Sequence, residues 1–307
     1  MLITPRSLTS AGVHEVPELE PLRRAGLELV PGPAGRVPDE QELTAALPGC
    51  AGWLAGIEAI TAPVLAAADG LRVISRNGAG TDNIDLAAAR RAGVAVERAA
   101  GANAQGVAEL ALALTLAALR HVPWSSSAVH EGGWRRWRGR ELGECTVGLI
   151  GLGAVGRRAA VAFTALGATV VAHDPFAGTD VPAGVRPVAL EELLRSCDVL
   201  SLHRPPPPDG TPVLDAAALA AVPAGAVLVN TARAALVDDE AVLAALTSGA
   251  LSAYAVDAYD SEPPAPSALL RHPRVIATPH VGGYTGASVS RATRHAVENL
   301  LTHLVPR

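Results

Sequence analysis

His203, Arg233, Asp257 and His280 each stand at or just beyond the end of a short apolar run: 199–202, 226–230, 254–257 and 275–278. If these runs are parallel strands of one sheet, their carboxyl ends share an edge, and open parallel sheets bind ligands at that edge. An arginine there can grip a carboxylate through two parallel N–H···O bonds and polarise the neighbouring carbonyl. A histidine there can move a proton near neutral pH. Glu262 follows Asp257 closely and precedes Pro263-Pro264, in a loop able to carry its carboxylate to His280. Such pairing orients an imidazole and keeps it a proton donor. Taken singly, Arg233 reads as a surface ion pair, His280 as a satisfied buried histidine, Glu262 as a solvated acid and His203 as a loop histidine. Their coincidence at successive strand ends favours joint chemistry: carboxylate capture with protonation of a developing alkoxide.

The run 146–150 leads into Gly151-Leu152-Gly153-Ala154-Val155-Gly156, and a helix follows over 157–166. Glycines in this order let the backbone turn tightly and approach a pyrophosphate, while the helix start offers unpaired N–H groups. Asp174 closes the next strand, where a carboxylate can accept from adenosine ribose hydroxyls. It would also repel a 2′-phosphate, and no arginine or lysine follows closely, so NAD is expected rather than NADP. A methyltransferase can share a glycine-rich loop and a following acid, but it leaves the strand-end residues unexplained.

These groups need a scaffold, and the length of 307 residues fits two α/β units. Buried strands are expected at 27–30, 53–55, 71–75 and 94–96, alternating with helical segments. The stretch 107–119, apolar nearly all round, reads as a helix buried between domains or subunits. Six strand candidates follow, 146–150, 168–172, 199–202, 226–230, 254–257 and 275–278, and their spacing suggests a doubly wound parallel sheet. Asp238, Asp239 and Glu240 before 241–246, with Gly249 after, mark a helix with an acidic start and a glycine stop. The prolines at 205–208 make a stiff loop.

Composition excludes several alternatives. All 25 basic side chains are arginine and the net charge is -5. Without lysine there is no Schiff-base lysine and no P-loop, and without a basic excess a nucleic-acid partner is not expected. Cys50, Cys145 and Cys197 are scattered and read as small buried hydrophobes in a reducing compartment. No histidine or cysteine cluster has metal-ligand spacing. The start lacks a signal-peptide pattern, and the apolar stretch 110–119 is too short to span a bilayer. A cytoplasmic protein is expected.

Three segments carry a family resemblance that extends over essentially the whole chain. Asn230-Thr231-Ala232-Arg233-Ala234-Ala235-Leu236-Val237-Asp238, Asp257-Ala258-Tyr259-Asp260-Ser261-Glu262-Pro263-Pro264 and Thr278-Pro279-His280-Val281-Gly282-Gly283 resemble the signatures of the D-isomer-specific 2-hydroxyacid dehydrogenases. The resemblance implies that Arg233 holds the substrate carboxylate, His280 is the acid/base and Glu262 is its partner. It also implies a discontinuous, flavodoxin-like substrate domain (1–98 and 285–307), a Rossmann cofactor domain (99–284), a cleft between them and a homodimer. Cofactor contacts are expected from Gly151, Gly153, Ala154, Val155, Gly156, Asp174, His203, Pro205, Thr211, Thr231, Ala232, Asp257 and Gly282. The sequence departs from the family's habits at Ala154, often arginine, at Ala234, often glycine, and at Gly286 and Ala287, where a glutamate is usual. The loop 204–211 is one residue longer than common.

Residues 76–85 and Trp134-Arg135-Arg136 resemble the 3-phosphoglycerate dehydrogenase group within that family. Arg76, at the end of the 71–75 strand, is expected to meet the substrate with Asn77, Gly78 and Ala79, and a second arginine beside Arg233 suits a second anionic group such as phosphate or phosphonate. The plainer reading is an ion pair bridging domains, and Arg135 or Arg136 assists or is solvated. Other readings are a glyoxylate or hydroxypyruvate reductase, an oxidiser of phosphite or a phosphonate aldehyde, and a non-catalytic NADH-responsive protein like the corepressors of this fold.

Overall fold

The computed structural model describes residues 1–10, 12–178 and 180–305. The chain divides into two compact units: Met1–Asn103 joined by the segment from Thr285 onward, and Ala104–Tyr284. The first unit runs past residue 98 because Ala99 and Ala102 pack with Ala292 of the C-terminal segment.

The first unit holds five parallel strands: β1 (Leu2–Ile3), β2 (Val30–Pro31), β3 (Gly52–Ala55), β4 (Val73–Arg76) and β5 (Ala95–Arg98), in the order β2-β1-β3-β4-β5. Successive side chains of a strand point to opposite faces. Leu2, Trp53, Ala55 and Ile74 therefore enter one core, while Ile3, Leu54 and Val73 enter the other. The second core is closed by Ala296, Val297 and Leu300 of the helix Gly286–Leu304. β1 is only two residues long and escapes a reading of apolar runs. The run 27–30 is a strand only at its end, because the chain is pairing at a sheet edge there and Pro31 closes it.

The second unit holds seven parallel strands: β6 (Thr146–Ile150), β7 (Thr169–His173), β8 (Val185–Pro187), β9 (Val199–Leu202), β10 (Ala226–Asn230), β11 (Leu251–Val256) and β12 (Val275–Ala277). Their order is β12-β11-β10-β9-β6-β7-β8. Val147, Leu149, Val170, Val199, Val227 and Val229 face one core, and Ile150, Val171, Leu200, Leu202, Leu228 and Tyr254 face the other. Residues on both faces are apolar, as a parallel sheet covered on both sides requires. The helix Ala104–Leu119 covers the first face through Ala108, Ala111, Leu114 and Ala118, so part of its apolar surface is explained by its own sheet. The sequence pattern does not reveal β8, an edge strand with one buried apolar residue, Val185, and a proline. Asp238 caps the helix Asp239–Ser248 through the N–H groups of Glu240 and Ala241, and Gly249 ends it at φ 82°.

Leu300 is fully buried against the first sheet. Leu300→Ala should destabilise the first unit by about 2–5 kcal/mol, the usual cost of a core cavity, read as an earlier transition in urea.

Candidate active site

The order of the seven-stranded sheet reverses between β6 and β9, and the loops leaving those strands carry the glycine motif and His203. Gly151 has φ 107°, and a Cβ there would lie 2.6 Å from the carbonyl oxygen of His203. A Cβ on Gly156 would lie 2.0 Å from the carbonyl oxygen of Gly151. Only glycine lets turn, strand and helix pack this closely. Gly153 is the N-cap of the helix Ala154–Ala165, its side open and no side chain capping it. Its first N–H groups are thus available to an anion.

Asp174, directly after β7, accepts from the N–H of Leu152 at 2.7 Å and of Phe176 at 2.8 Å. One carboxylate so fastens the glycine loop to the next strand, and each oxygen keeps a lone pair for a hydroxyl. His203 is buried; its Nε2 hydrogen bonds Ser201 Oγ at 2.9 Å, and its Nδ1 has no partner. Burial pushes the imidazole pKa down to about 4, so it is neutral. Thr231 Oγ1 is likewise buried and unpartnered, at the end of β10, whose Asn230 is in register with Leu202 of β9. Unsatisfied buried polar atoms call for a partner, and these two stand at the edge where an NAD would lie. Ala154 and Val155 open the helix after Gly153, and Ala232 lies on the turn after β10. Pro205 and Thr211 sit on the exposed loop after His203, where Thr211 N–H donates to Asp209. The residues present fit the dinucleotide.

Arg233 follows β10 on a turn knitted by Asn230, whose Oδ1 accepts from Ala232 N–H and whose amide donates to the carbonyl of Arg233. The Arg233 guanidinium also donates to the Ala232 carbonyl at 2.7 Å. Asp257, 1% exposed, lies just past β11. It accepts from Thr278 Oγ1 at 2.6 Å, Val281 N–H at 2.8 Å and Gly282 N–H at 2.8 Å. Tyr259 donates its hydroxyl to the Thr278 carbonyl at 2.8 Å. Between these anchors His280 adopts φ 52°, a left-handed conformation unfavourable for a side chain with a Cβ and sustained only by surrounding contacts. Its Nδ1 hydrogen bonds Glu262 Oε1, and both groups are exposed enough to meet a substrate.

Asn230, Thr278 and Tyr259 have no role in the sequence reading. Their neighbours in the motifs are the only signal. Asp257 and Gly282, expected at the cofactor, hold the His280 loop here. Arg76, Asn77, Gly78 and Ala79 belong to the first unit. There Arg76 ends β4 beside Ala55 of β3, and its guanidinium folds over Gly78, where a Cβ would lie 2.6 Å from Nη1. Asn77 N–H donates to the Ala55 carbonyl, and Thr293 of the C-terminal helix donates to the Asn77 side chain.

All three cysteines are buried, and the Cys197 thiol is pushed up to about 12 by burial, which leaves it inert. Among the described residues no group of three histidine, cysteine or acidic side chains is arranged to hold a metal ion. Among them, too, no single helix is long and apolar enough to cross a membrane.

Residues 112–282 match the pattern of the D-isomer specific 2-hydroxyacid dehydrogenase NAD binding domain. The chain belongs to that family. Its second unit is the family's NAD-binding domain, and the first completes the two-unit architecture seen in solved relatives. A D-3-phosphoglycerate dehydrogenase of Mycobacterium bovis is 37% identical over 268 residues, 86% of this chain and 51% of the relative. The chain thus spans about half the length of the curated relatives it matches. A crystal structure of a Thermus thermophilus protein has TM-score 0.87 at 35% identity, covering 99% of this chain and 96% of that one. A D-2-hydroxyisocaproate dehydrogenase has TM-score 0.85 at 28% identity, covering 99% and 97%.

His203 makes this family member acid-sensitive in a defined window. Its folded pKa of about 4 lies below the ordinary 6.5, so between those values the unfolded chain binds more protons and stability falls as pH falls. Its share of the loss between pH 7 and pH 5 should be about 2 kcal/mol. Urea unfolding at the two pH values should show a smaller drop for His203→Asn than for the unaltered chain.

Proposed function

We propose that this chain is an NAD-dependent dehydrogenase that interconverts a small D-2-hydroxy acid and its 2-oxo acid. The observation that carries the reading is the His280–Glu262 pair, held on a clamped loop at the same sheet edge as the glycine turn. Bound NAD supplies or accepts the hydride. The helix start after Gly153 holds the pyrophosphate, Asp174 takes the ribose hydroxyls and disfavours a 2′-phosphate, and His203 and Thr231 offer their unpartnered atoms. Arg233 grips the substrate carboxylate. In reduction, protonated His280 gives its proton to the oxygen that becomes the hydroxyl; in oxidation it takes that proton back, and Glu262 holds the ring in register throughout. The Arg233, Glu262 and His280 set favours an enzyme over a non-catalytic NADH-responsive protein.

We assign substrate selection to Arg76, which ends β4, and to Asn77, Gly78 and Ala79 just after it. Two substrate classes have support. Arg76 and the 3-phosphoglycerate dehydrogenase relatives favour a phosphorylated acid; the likeness to a D-2-hydroxyisocaproate dehydrogenase favours an aliphatic one. The buried thiols fit a reducing compartment, and the cytoplasm is the proposed location. A homodimer is proposed through the helix Val122–His130, which buries none of its residues and leaves Val129 56% and the nearby Trp134 83% exposed.

The activity is tested by NADH oxidation at 340 nm with a panel of 2-oxo acids. His280→Ala should lower kcat by at least about 100-fold, the usual worth of a general acid, with NADH binding retained; Glu262→Gln should lower kcat more than it raises KM. A full-rate His280→Ala enzyme contradicts the mechanism. Light scattering should give twice the chain mass of 31.2 kDa, and Val129→Arg should return the single-chain mass.

A further inference from the structure

A pocket opens beside the loop that follows β11, with that loop on one side and the start of the helix Asp239–Ser248 on the other. All the residues lining it belong to the second unit. Its volume is about 140 Å³, close to that of a cavity that admits a benzene-sized molecule of roughly six heavy atoms. The base is apolar and buried, formed by Val256, Leu269 and Tyr254, the last only 2% exposed. At the mouth stand two exposed carboxylates, Asp239 from the helix and Asp260 from the loop. Asp239 taken singly is an acidic residue in the first turn of a helix, where negative charge is favourable. Asp260 comes from a different element, so the helix does not account for it. Burial and the charges of Asp260 and Asp238 push the Asp239 carboxyl up, and among the described residues no arginine or histidine lines the pocket. Like charges thus face each other above an apolar base.

This combination selects its occupant. Among the described residues no third histidine, cysteine or acidic side chain joins the pair as a metal site would need. Anions and amino acids bring a carboxylate that the pair repels. A compact organic ammonium fits both halves: its body displaces water from the base and its head stands between the carboxylates, with tyrosines in the lining that suit a cation. The pocket also reaches the catalytic pair through the chain itself. Asp260, Ser261 and Pro264 line it, and Glu262 between them holds His280 Nδ1. Repulsion between Asp239 and Asp260 pushes the loop away from the helix, whereas a bridging ammonium fastens the two together. Resting on the dehydrogenase reading above, we infer that this pocket is a regulatory site for a small alkylammonium, which raises turnover by fastening the loop that carries Glu262.

The test titrates the full chain with isopentylammonium chloride at low, constant ionic strength, without NADH or 2-oxo acid, and follows binding by ligand-detected NMR. A ligand of this size and charge should bind with a Kd of about 1 mM, and isopentanol, its uncharged isostere, about tenfold more weakly. Asp239→Asn and Asp260→Asn should each weaken the ammonium about threefold. With the best 2-oxo acid of the panel, saturating ammonium should raise kcat about fivefold and leave the KM for NADH unmoved. Asp260→Asn, which removes the repulsion, should itself raise kcat and respond less to the ammonium. No saturable binding, equal binding of the alcohol, or affinity undiminished in both variants overturns the site. Binding that leaves kcat unmoved overturns its regulatory role. Neither result touches the dehydrogenase reading, because binding is measured without the reactants; a chain that reduces no 2-oxo acid sinks that reading and the regulatory role together, while the NMR titration still decides the pocket.

Discussion

Asp257 is almost wholly withdrawn from solvent, and a carboxyl so placed is tolerable only when its oxygens are supplied with donors. The donors are the Thr278 hydroxyl and the N–H groups of Val281 and Gly282, which flank His280 on both sides. Removing the side chain would strand two backbone donors and release the turn that keeps His280 at a positive φ. The bond to Glu262 depends on this, because an imidazole on a relaxed loop would have no fixed direction. The proposed proton transfer therefore rests on a residue that needs no contact with the reacting atoms.

The same device recurs at the carboxyl ends of both sheets. Asp174 reaches back to the glycine loop, Asn230 closes the turn that presents Arg233, and Glu58 with Asn83 holds the loop after β3. In each case a short polar side chain replaces water at backbone N–H or carbonyl groups that the end of a strand leaves unpaired. The loops carry the exposed functional side chains, and the buried polar groups decide where those side chains point.

Much of the second unit is legible from sequence. Parallel strands covered on both faces read as unbroken apolar runs, so β6, β9, β10, β11 and β12 stand out, and chemistry-bearing residues at their ends can be named. β8 carries little apolar signal because it is an edge strand, and β1 is too short to show a pattern. Asn230, Thr278, Tyr259, Glu58 and Asn83 are opaque for another reason. A polar residue in a loop looks the same whether it is solvated or bonded to a backbone group, and only the packed structure shows which groups lie opposite it.

The helix Gly286–Leu304 supplies Ala296, Val297 and Leu300 to a core whose other members, among them Ile3, Leu19, Leu22, Leu54 and Val73, lie near the opposite end of the chain. On the ribosome, where chains emerge at about 5–20 residues per second, the intervening unit takes roughly 10–40 s to be made. Throughout that interval the nascent first unit carries an uncovered apolar face, and by its end the second unit has all its strands and can fold before the helix Gly286–Leu304 is made. Synthesis thus imposes an order in which the segment made before the second unit matures after it, and a chain cut short before the helix Gly286–Leu304 leaves the ribosome with that face bare and open to chaperones or to aggregation.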